Sequence, residues 1–295
     1  MKDILSIVIR LTVSCLLAAS VMGICFIFTS NAKKHNEHVK EQQVMYELLG
    51  YKGDAKVPES VVMHEIYRYV LTTADSQSIG YLVAEHGEEF LLVEIDLDGK
   101  FLKKIPFTMS EADALEGDLR DKKVQEIVGP SATVKFADQT VIVTDDGKRI
   151  AYLVSGKFQG FKTFISVMLA VDPSFSLLGL EILEHEEDPG LGAEIEKDYF
   201  KNQFKGKPFA VLKNIDVVKA PIPADYLKAL NGKVDEQEIL KIREMYKDKD
   251  IYALTGATIS SRAVSNGVKG IVKKFAYRVT VLDKVLAEQR LTVPF

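Results

Sequence analysis

Three short segments hold residues whose types and spacing can do chemistry. The first is Leu254-Thr255-Gly256-Ala257-Thr258-Ile259-Ser260-Ser261. A small-residue turn ahead of a helix lets a ligand come close to the backbone, and the free N–H groups and dipole of the helix start favour a phosphate. A threonine hydroxyl there can hold an anion or be esterified by one. The same residues also suit plain capping, with Ser260 or Ser261 opening a helix from about Arg262 to at least Tyr277. The second segment is Glu184-His185-Glu186-Glu187-Asp188-Pro189-Gly190-Leu191-Gly192. Its proline and glycines specify a rigid turn that exposes backbone amides, a shape suited to a planar ring or a phosphate. One histidine among acids also raises a metal, but consecutive residues cannot all point at one centre, and no HExxH spacing is present. A solvated acidic turn explains them better than a metal does, and no metal site is expected. The third segment, Gly156-Lys157-Phe158-Gln159-Gly160-Phe161-Lys162, reads as a hairpin loop with bulky tips.

The elements around these segments are legible from pattern. Ile79-Gly80-Tyr81-Leu82-Val83 and Ile150-Ala151-Tyr152-Leu153-Val154 resemble each other at an offset of 71 residues. Each follows a polar turn and precedes another apolar strand, so strand–turn–strand units used twice and a chance match of two hairpins both remain open. Residues 110–128 read as a helix that Ser110 caps and Gly129-Pro130 stops. Asp235 to Lys247 carries Ile239, Leu240, Ile242 and Met245 at helical spacing. The expected fold is α+β, an antiparallel sheet with packed helices, behind one N-terminal transmembrane helix.

That helix is expected because Leu11 to Phe28 contains no charge, and a span needs roughly 20 apolar residues. The apolar run continues past Ala18-Ala19-Ser20 without a clear cleavage site, which favours a retained anchor over a signal peptide. Lys2 and Arg10 on one side face Lys33, Lys34 and Lys40 on the other, so the charge rule does not orient it. The chain divides into an anchor (1–30), a helical stalk (31–56), an extra α+β segment (57–130), a binding domain (131–277) and a C-terminal tail (278–295).

Composition narrows the function. Cys15 and Cys25 both lie in the apolar stretch, which excludes a disulfide framework, a thiolate metal site or a cysteine nucleophile in the remainder. The net charge is −4 and the lysines are scattered, so no nucleic-acid partner is expected.

Together and in this order, EHEEDPGLGAEIE, FKNQFKGK and TGATISSRAVSNGV resemble the flavin-binding domain shared by RnfG and the C subunit of the sodium-pumping NADH:quinone reductase, with wording closer to RnfG. The resemblance covers about residues 150–277 and the anchor. It implies FMN joined through a phosphoester to Thr258 by a flavin transferase that uses FAD as donor. Thr255, Gly256, Ala257 and Ile259 would then form the attachment loop. It places Glu187, Asp188, Leu191 and Gly192 against the isoalloxazine ring, and makes Lys219 a further flavin contact. It implies a redox subunit, not catalytic alone, of an Rnf-type ferredoxin:NAD oxidoreductase translocating Na⁺ or H⁺. The flavin domain would lie outside the cytoplasmic membrane, beside the complex's membrane subunits. Tyr252 departs from the family's usual aspartate, and Asp188 replaces a threonine and brings a negative charge that lowers the flavin potential. The extra residues 57–130 and 220–249 gain no role from the resemblance. The competing reading is a flavin-free, membrane-tethered assembly or sensory domain.

Overall fold

A computed structural model describes the chain apart from Met1, Lys52 and Asp54. It separates into two compact units, one up to Tyr46 and one from Glu47 to Phe295. The first is nearly all of helix α1 (Lys2–Leu48), in which Ser6–Phe26 is long and apolar enough to cross a membrane, by length and composition. Thr12 and Ser14 within it donate back to the carbonyls of Val8 and Arg10, so their hydroxyls need no water. The helix ends at Leu48, just before Gly50 takes a φ of 98°, so the helical stalk expected for 31–56 is helical only to Leu48. Lys52 and Asp54 of that stretch lie outside the described residues.

The second unit is built on one eight-stranded antiparallel sheet. Strands β1 (Val61–Thr72), β2 (Gln77–His86), β3 (Glu89–Asp96) and β4 (Phe101–Thr108) form one meander. Helices α2 (Glu111–Leu115) and α3 (Gly117–Val128) lead to a second meander, β5 (Thr133–Asp145), β6 (Lys148–Gln159), β7 (Phe164–Val171) and β8 (Leu177–Glu184). The order β4-β3-β2-β1-β5-β6-β7-β8 joins them through the first strand of each. The two similar pentapeptides therefore lie on the second strand of each meander. No domain boundary falls at residues 130 and 131, because β1 pairs with β5 from Val61↔Asp145 to Thr72↔Thr133.

Strand alternation sorts the cores. Tyr67, Tyr69, Leu71, Leu82 and Leu92 face α2 and α3, packing with Ala114 and Val124. The helix expected over 110–128 is broken at Glu116, whose extended backbone ends α2 and begins α3. The break lets buried Arg120 donate to the Ala114 carbonyl and to the Tyr69 hydroxyl while its guanidinium stacks 3.8 Å above the Tyr67 ring. Ser110 caps α2 as expected, through its Oγ and the Asp113 N–H.

After β8 come a 3₁₀ turn (Gly192–Glu196), the short helices α4 (Asp198–Lys201) and α5 (Phe209–Leu212), and β9 (Val217–Val218). Helices α6 (Ala224–Leu230) and α7 (Glu236–Tyr246) form a hairpin with its own core of Tyr226, Ala229, Leu230 and Ile242, and Asp235 caps α7. Strand β10 (Ile251–Tyr252) pairs in parallel with β9. The last helix, α8 (Thr258–Glu288), lays Val264, Val268, Val272, Phe275, Val279 and Leu282 across the sheet face that carries Ile142, Tyr152, Val154 and Val167. Bidentate Arg149–Asp283 bonds of 2.7 and 2.8 Å and an Asp138 carboxylate shared by Arg68 and Arg278 fix its slant. The apolar period runs on through Val285 and Leu286, so residues 278–295 are not a free tail; Leu291, Val293 and Phe295 return to the same core.

Candidate functional site

The Thr255–Thr258 loop is pinned from behind by one serine. Ser261 Oγ accepts the Leu254 N–H at 3.0 Å and donates to the Ala257 carbonyl at 2.9 Å. The Ala257 N–H closes the turn on the Leu254 carbonyl at 3.1 Å. Gly256 takes a φ of 76°, which costs a side chain about 1–2 kcal/mol. These bonds start α8 at Thr258, four residues before the expected Arg262, and neither Ser260 nor Ser261 is its cap. Position Ala257 has no capping side chain, and among the described residues the N–H groups of Thr258, Ile259 and Ser260 have no protein acceptor. Half-buried Thr258 thus opens a 31-residue helix with unpaired amides, beside exposed Thr255 and Ile259.

The other two segments converge on this loop. A Cβ on Gly256 would lie 3.0 Å from Leu191 Cδ2, so the turn Pro189-Gly190-Leu191-Gly192 rests its leucine against the loop. Leu191 remains 47% exposed and Ile259 61%, giving the loop an open apolar rim. Glu187 lies beneath, 4% exposed. Its Oε1 accepts the Phe161 and Lys162 N–H groups at 2.7 and 3.2 Å, and its Oε2 accepts the Ser260 hydroxyl. Glu187 and Gly192, both buried, therefore support the loop from below, while Asp188 and Leu191 reach its surface. Asp188 is not an isolated charge: Lys162 Nζ is 2.5 Å from its Oδ1, and the carboxylate holds the lysine above its usual range. His185 is occupied too, Nδ1 accepting the Glu187 N–H at 3.0 Å and Nε2 3.0 Å from Glu196.

Strands β9 and β10 bring Lys219 and Tyr252 to the same end of the unit. The Ala253 N–H donates to the Val218 carbonyl at 2.9 Å, so exposed Lys219 follows the strand beside the start of the loop. The Tyr252 backbone exchanges bonds of 2.7 and 3.2 Å with the Gln203 side chain. Its ring packs edge-on at 6.3 and 6.5 Å from Tyr226 and Tyr246, which stack on each other at 4.0 Å. An aromatic residue at position 252 is thereby matched to the helical hairpin of residues 220–249, which would leave an aspartate there facing rings. Buried Lys207 donates to the carbonyls of Tyr246, Lys247 and Lys249, tying the end of α7 to β10. Burial pushes its pKa down to about 8.

Sequence reasoning missed Ser260 as a partner of Glu187, Lys162 as a partner of Asp188, and Gln203 and Lys207 as supports. Gly160 and Gly192 were the available signal. A Cβ on Gly160 would sit 2.5 Å from Glu187 Oε1, and one on Gly192 would sit 2.7 Å from both Glu187 Oε2 and Ser260 Oγ.

A family model for the FMN-binding domain matches residues 160–273, a window that holds the Phe161–Lys162 turn, the Glu187–Gly192 turn and the Thr258 loop. This part of the chain is similar to FMN-binding domains. The G subunit of the proton-translocating ferredoxin:NAD(+) oxidoreductase complex of Clostridium ljungdahlii is 35% identical over 127 residues, 43% of this chain and 54% of that protein. The C subunit of the Na(+)-translocating NADH-quinone reductase of Yersinia pestis is 25% identical over 175 residues, 57% of this chain and 58% of its own length. The chain thus spans about half the length of these curated relatives. The crystal structure of Shewanella oneidensis NqrC aligns over 78% of this chain and 89% of its own, at 18% identity and a TM-score of 0.41. The matched window begins in the β6–β7 turn and ends midway along α8, so the first meander lies outside it.

Proposed function

We propose that this FMN-binding chain is a membrane-anchored electron-transfer subunit whose flavin is held as a phosphoester on Thr258. One observation carries the reading: Thr258 is the hydroxyl residue at the start of a long helix whose first amides lack protein acceptors, in a loop flanked by an apolar rim. The site suits a phosphate on chemical grounds. Unpaired N–H groups and the positive end of the helix dipole favour the anion, and a positive-φ glycine keeps side-chain bulk off the loop. Leu191 and Ile259 offer apolar surface on either side for a planar ring, with Asp188 and Lys162 at its edge and Lys219 nearby. FMN held there supplies electron-transfer chemistry, while the protein positions it and tunes it.

Attachment needs a flavin transferase with FAD as donor. The Thr258 hydroxyl attacks the flavin-side phosphorus of the FAD pyrophosphate, its oxygen–phosphorus bond forms as the pyrophosphate bond breaks, AMP departs and the hydroxyl proton is released. The Ser6–Phe26 helix supplies a single-pass anchor in the cytoplasmic membrane. The flavin domain faces away from the cytoplasm and exchanges electrons with membrane subunits of an Rnf-type complex translocating Na⁺ or H⁺. The likeness to the G subunit of such a complex supports this setting.

The test is denaturing gel electrophoresis of the full chain made with a flavin transferase. In-gel flavin fluorescence is expected in the wild type and absent in Thr258→Val. A wild type that stays dark in the presence of an active transferase overturns the reading in favour of a flavin-free tethered domain.

A further inference from the structure

Glu187 unites three stretches of chain that are far apart in sequence. Its Oε1 takes two backbone N–H groups of the β6–β7 turn, Phe161 at 2.7 Å and Lys162 at 3.2 Å. Its Oε2 takes the hydroxyl of Ser260, in the first turn of α8. Its own backbone belongs to the turn that ends in Leu191, and its N–H is held by His185 Nδ1 at 3.0 Å. The packing leaves the carboxylate little slack, since Gly160 and Gly192 both approach it more closely than any side chain would allow. With 4% exposure and both oxygens engaged, Glu187 is poorly placed to touch a ring on the open side of the loop.

We propose that Glu187 is a positioning residue, clamping the β6–β7 turn and the Leu191 turn to the first turn of α8 so that the Thr258 hydroxyl and the Leu191 side chain keep a fixed relation. The inference rests on the flavin reading of Thr258. Ser260 is two residues beyond Thr258 in the same helical turn, so any displacement of the helix start moves both. Group transfer to a hydroxyl is sensitive to such displacement, and about 1 Å of misplacement can cost on the order of a hundredfold in rate. Methionine at position 187 would fill a similar volume but take from two part-buried N–H groups and one buried hydroxyl the acceptor they now have. Glutamine would keep an oxygen for the two N–H groups and present an NH₂ that Ser260 Oγ can accept.

The experiment follows flavinylation of the full chain over time by in-gel fluorescence, for wild type, Glu187→Met, Glu187→Gln and Ser260→Ala, with visible circular dichroism of the attached flavin and a thermal melt of each protein. Glu187→Met is expected to be modified at least about tenfold more slowly than wild type, and Glu187→Gln within about twofold of it. Ser260→Ala falls between them; because it keeps both turn N–H bonds, it decides the matter if Glu187→Met does not fold. Rescue by glutamine and an altered dichroism in the methionine variant separate positioning from a general loss of stability. Wild-type rates and dichroism in all folded variants overturn the clamp alone, as does a glutamine variant as slow as the methionine one. A wild type that accepts no flavin overturns the flavin reading and the clamp with it.

Discussion

A carboxylate beside a redox ring holds the potential down to the extent that its charge is unscreened, and Asp188 sits 2.5 Å from Lys162 Nζ. The lowering expected from Asp188 is therefore offset by the lysine. Two substitutions pull the pair apart in opposite directions. With the flavin placed on Thr258 as proposed, Lys162→Met leaves Asp188 uncompensated and is expected to lower the flavin's midpoint potential, whereas Asp188→Asn frees Lys162 and is expected to raise it. Both shifts shrink as salt is added, because the pair is solvent-exposed. Redox titration of the flavinylated full chain reads them, and shifts of equal sign in the two variants contradict the pairing. The turn around Thr258 was legible in the sequence because its signal is local, small residues and hydroxyls just ahead of a helix, although the helix begins at Thr258 and not at the expected Arg262. Ser260 and Lys162 were not, because their partners Glu187 and Asp188 lie far away in sequence and only the fold brings them together. A serine one residue before another reads as a cap from either position, and here each turns inward to a different task.

At the scale of elements, Ser110 caps the helix it announced, whereas Ser260 and Ser261, read the same way, do not cap α8. The break at Glu116 was not legible, since it depends on Arg120 reaching Ala114 and the Tyr67 ring across the sheet interface. Helix α8 shows how much a boundary depends on tertiary packing. Its start is set by Ser261 bonding back into the loop, and its end by an apolar stripe that still has a sheet to cover. Two of its glycines make opposite predictions. At Gly267 a Cβ would run into the Phe158 ring, while at Gly270 it would meet nothing within 4 Å. Gly270→Ala is expected to stabilise by up to about 1 kcal/mol, the helix-propensity difference, raising the melting temperature by about 2–4 °C. Gly267→Ala gains the same propensity but forces Phe158 out of place, and should lose about 1–3 kcal/mol net. Thermal melts of the full chain in detergent measure both, and equal effects would mean that α8 does not press on β6 through Gly267.

At the scale of the molecule, the repeat offset and the topology describe one architecture: two four-stranded meanders sharing a sheet, with the window that the FMN-binding family model matches confined to the second meander and the helices C-terminal to it. The sequence suggested two segments divided near residue 130 because Gly129-Pro130 stops a helix there and the family resemblance begins beyond it, but register between strands about 70 residues apart is invisible to local pattern. Strand β1 pairs with β5 along its whole length, and α8 crosses from Phe158, through the Asp138–Arg278 contact, to the β3–β4 turn, where Val281 Cγ1 lies 3.0 Å from the Cβ position of Gly99. The first meander is thus held by a strand edge and a helix that both belong to the other half. A protease site inserted in the Gly129–Ser131 turn tests this directly. After cleavage the two fragments, about residues 1–130 and 131–295, should still elute together under native conditions and part only in denaturant, because the broken peptide bond crosses a surface turn while the sheet and the α8 core stay intact. Separation under native conditions would show two independent domains and remove the physical reason for placing residues 57–130 in the same unit as Thr258.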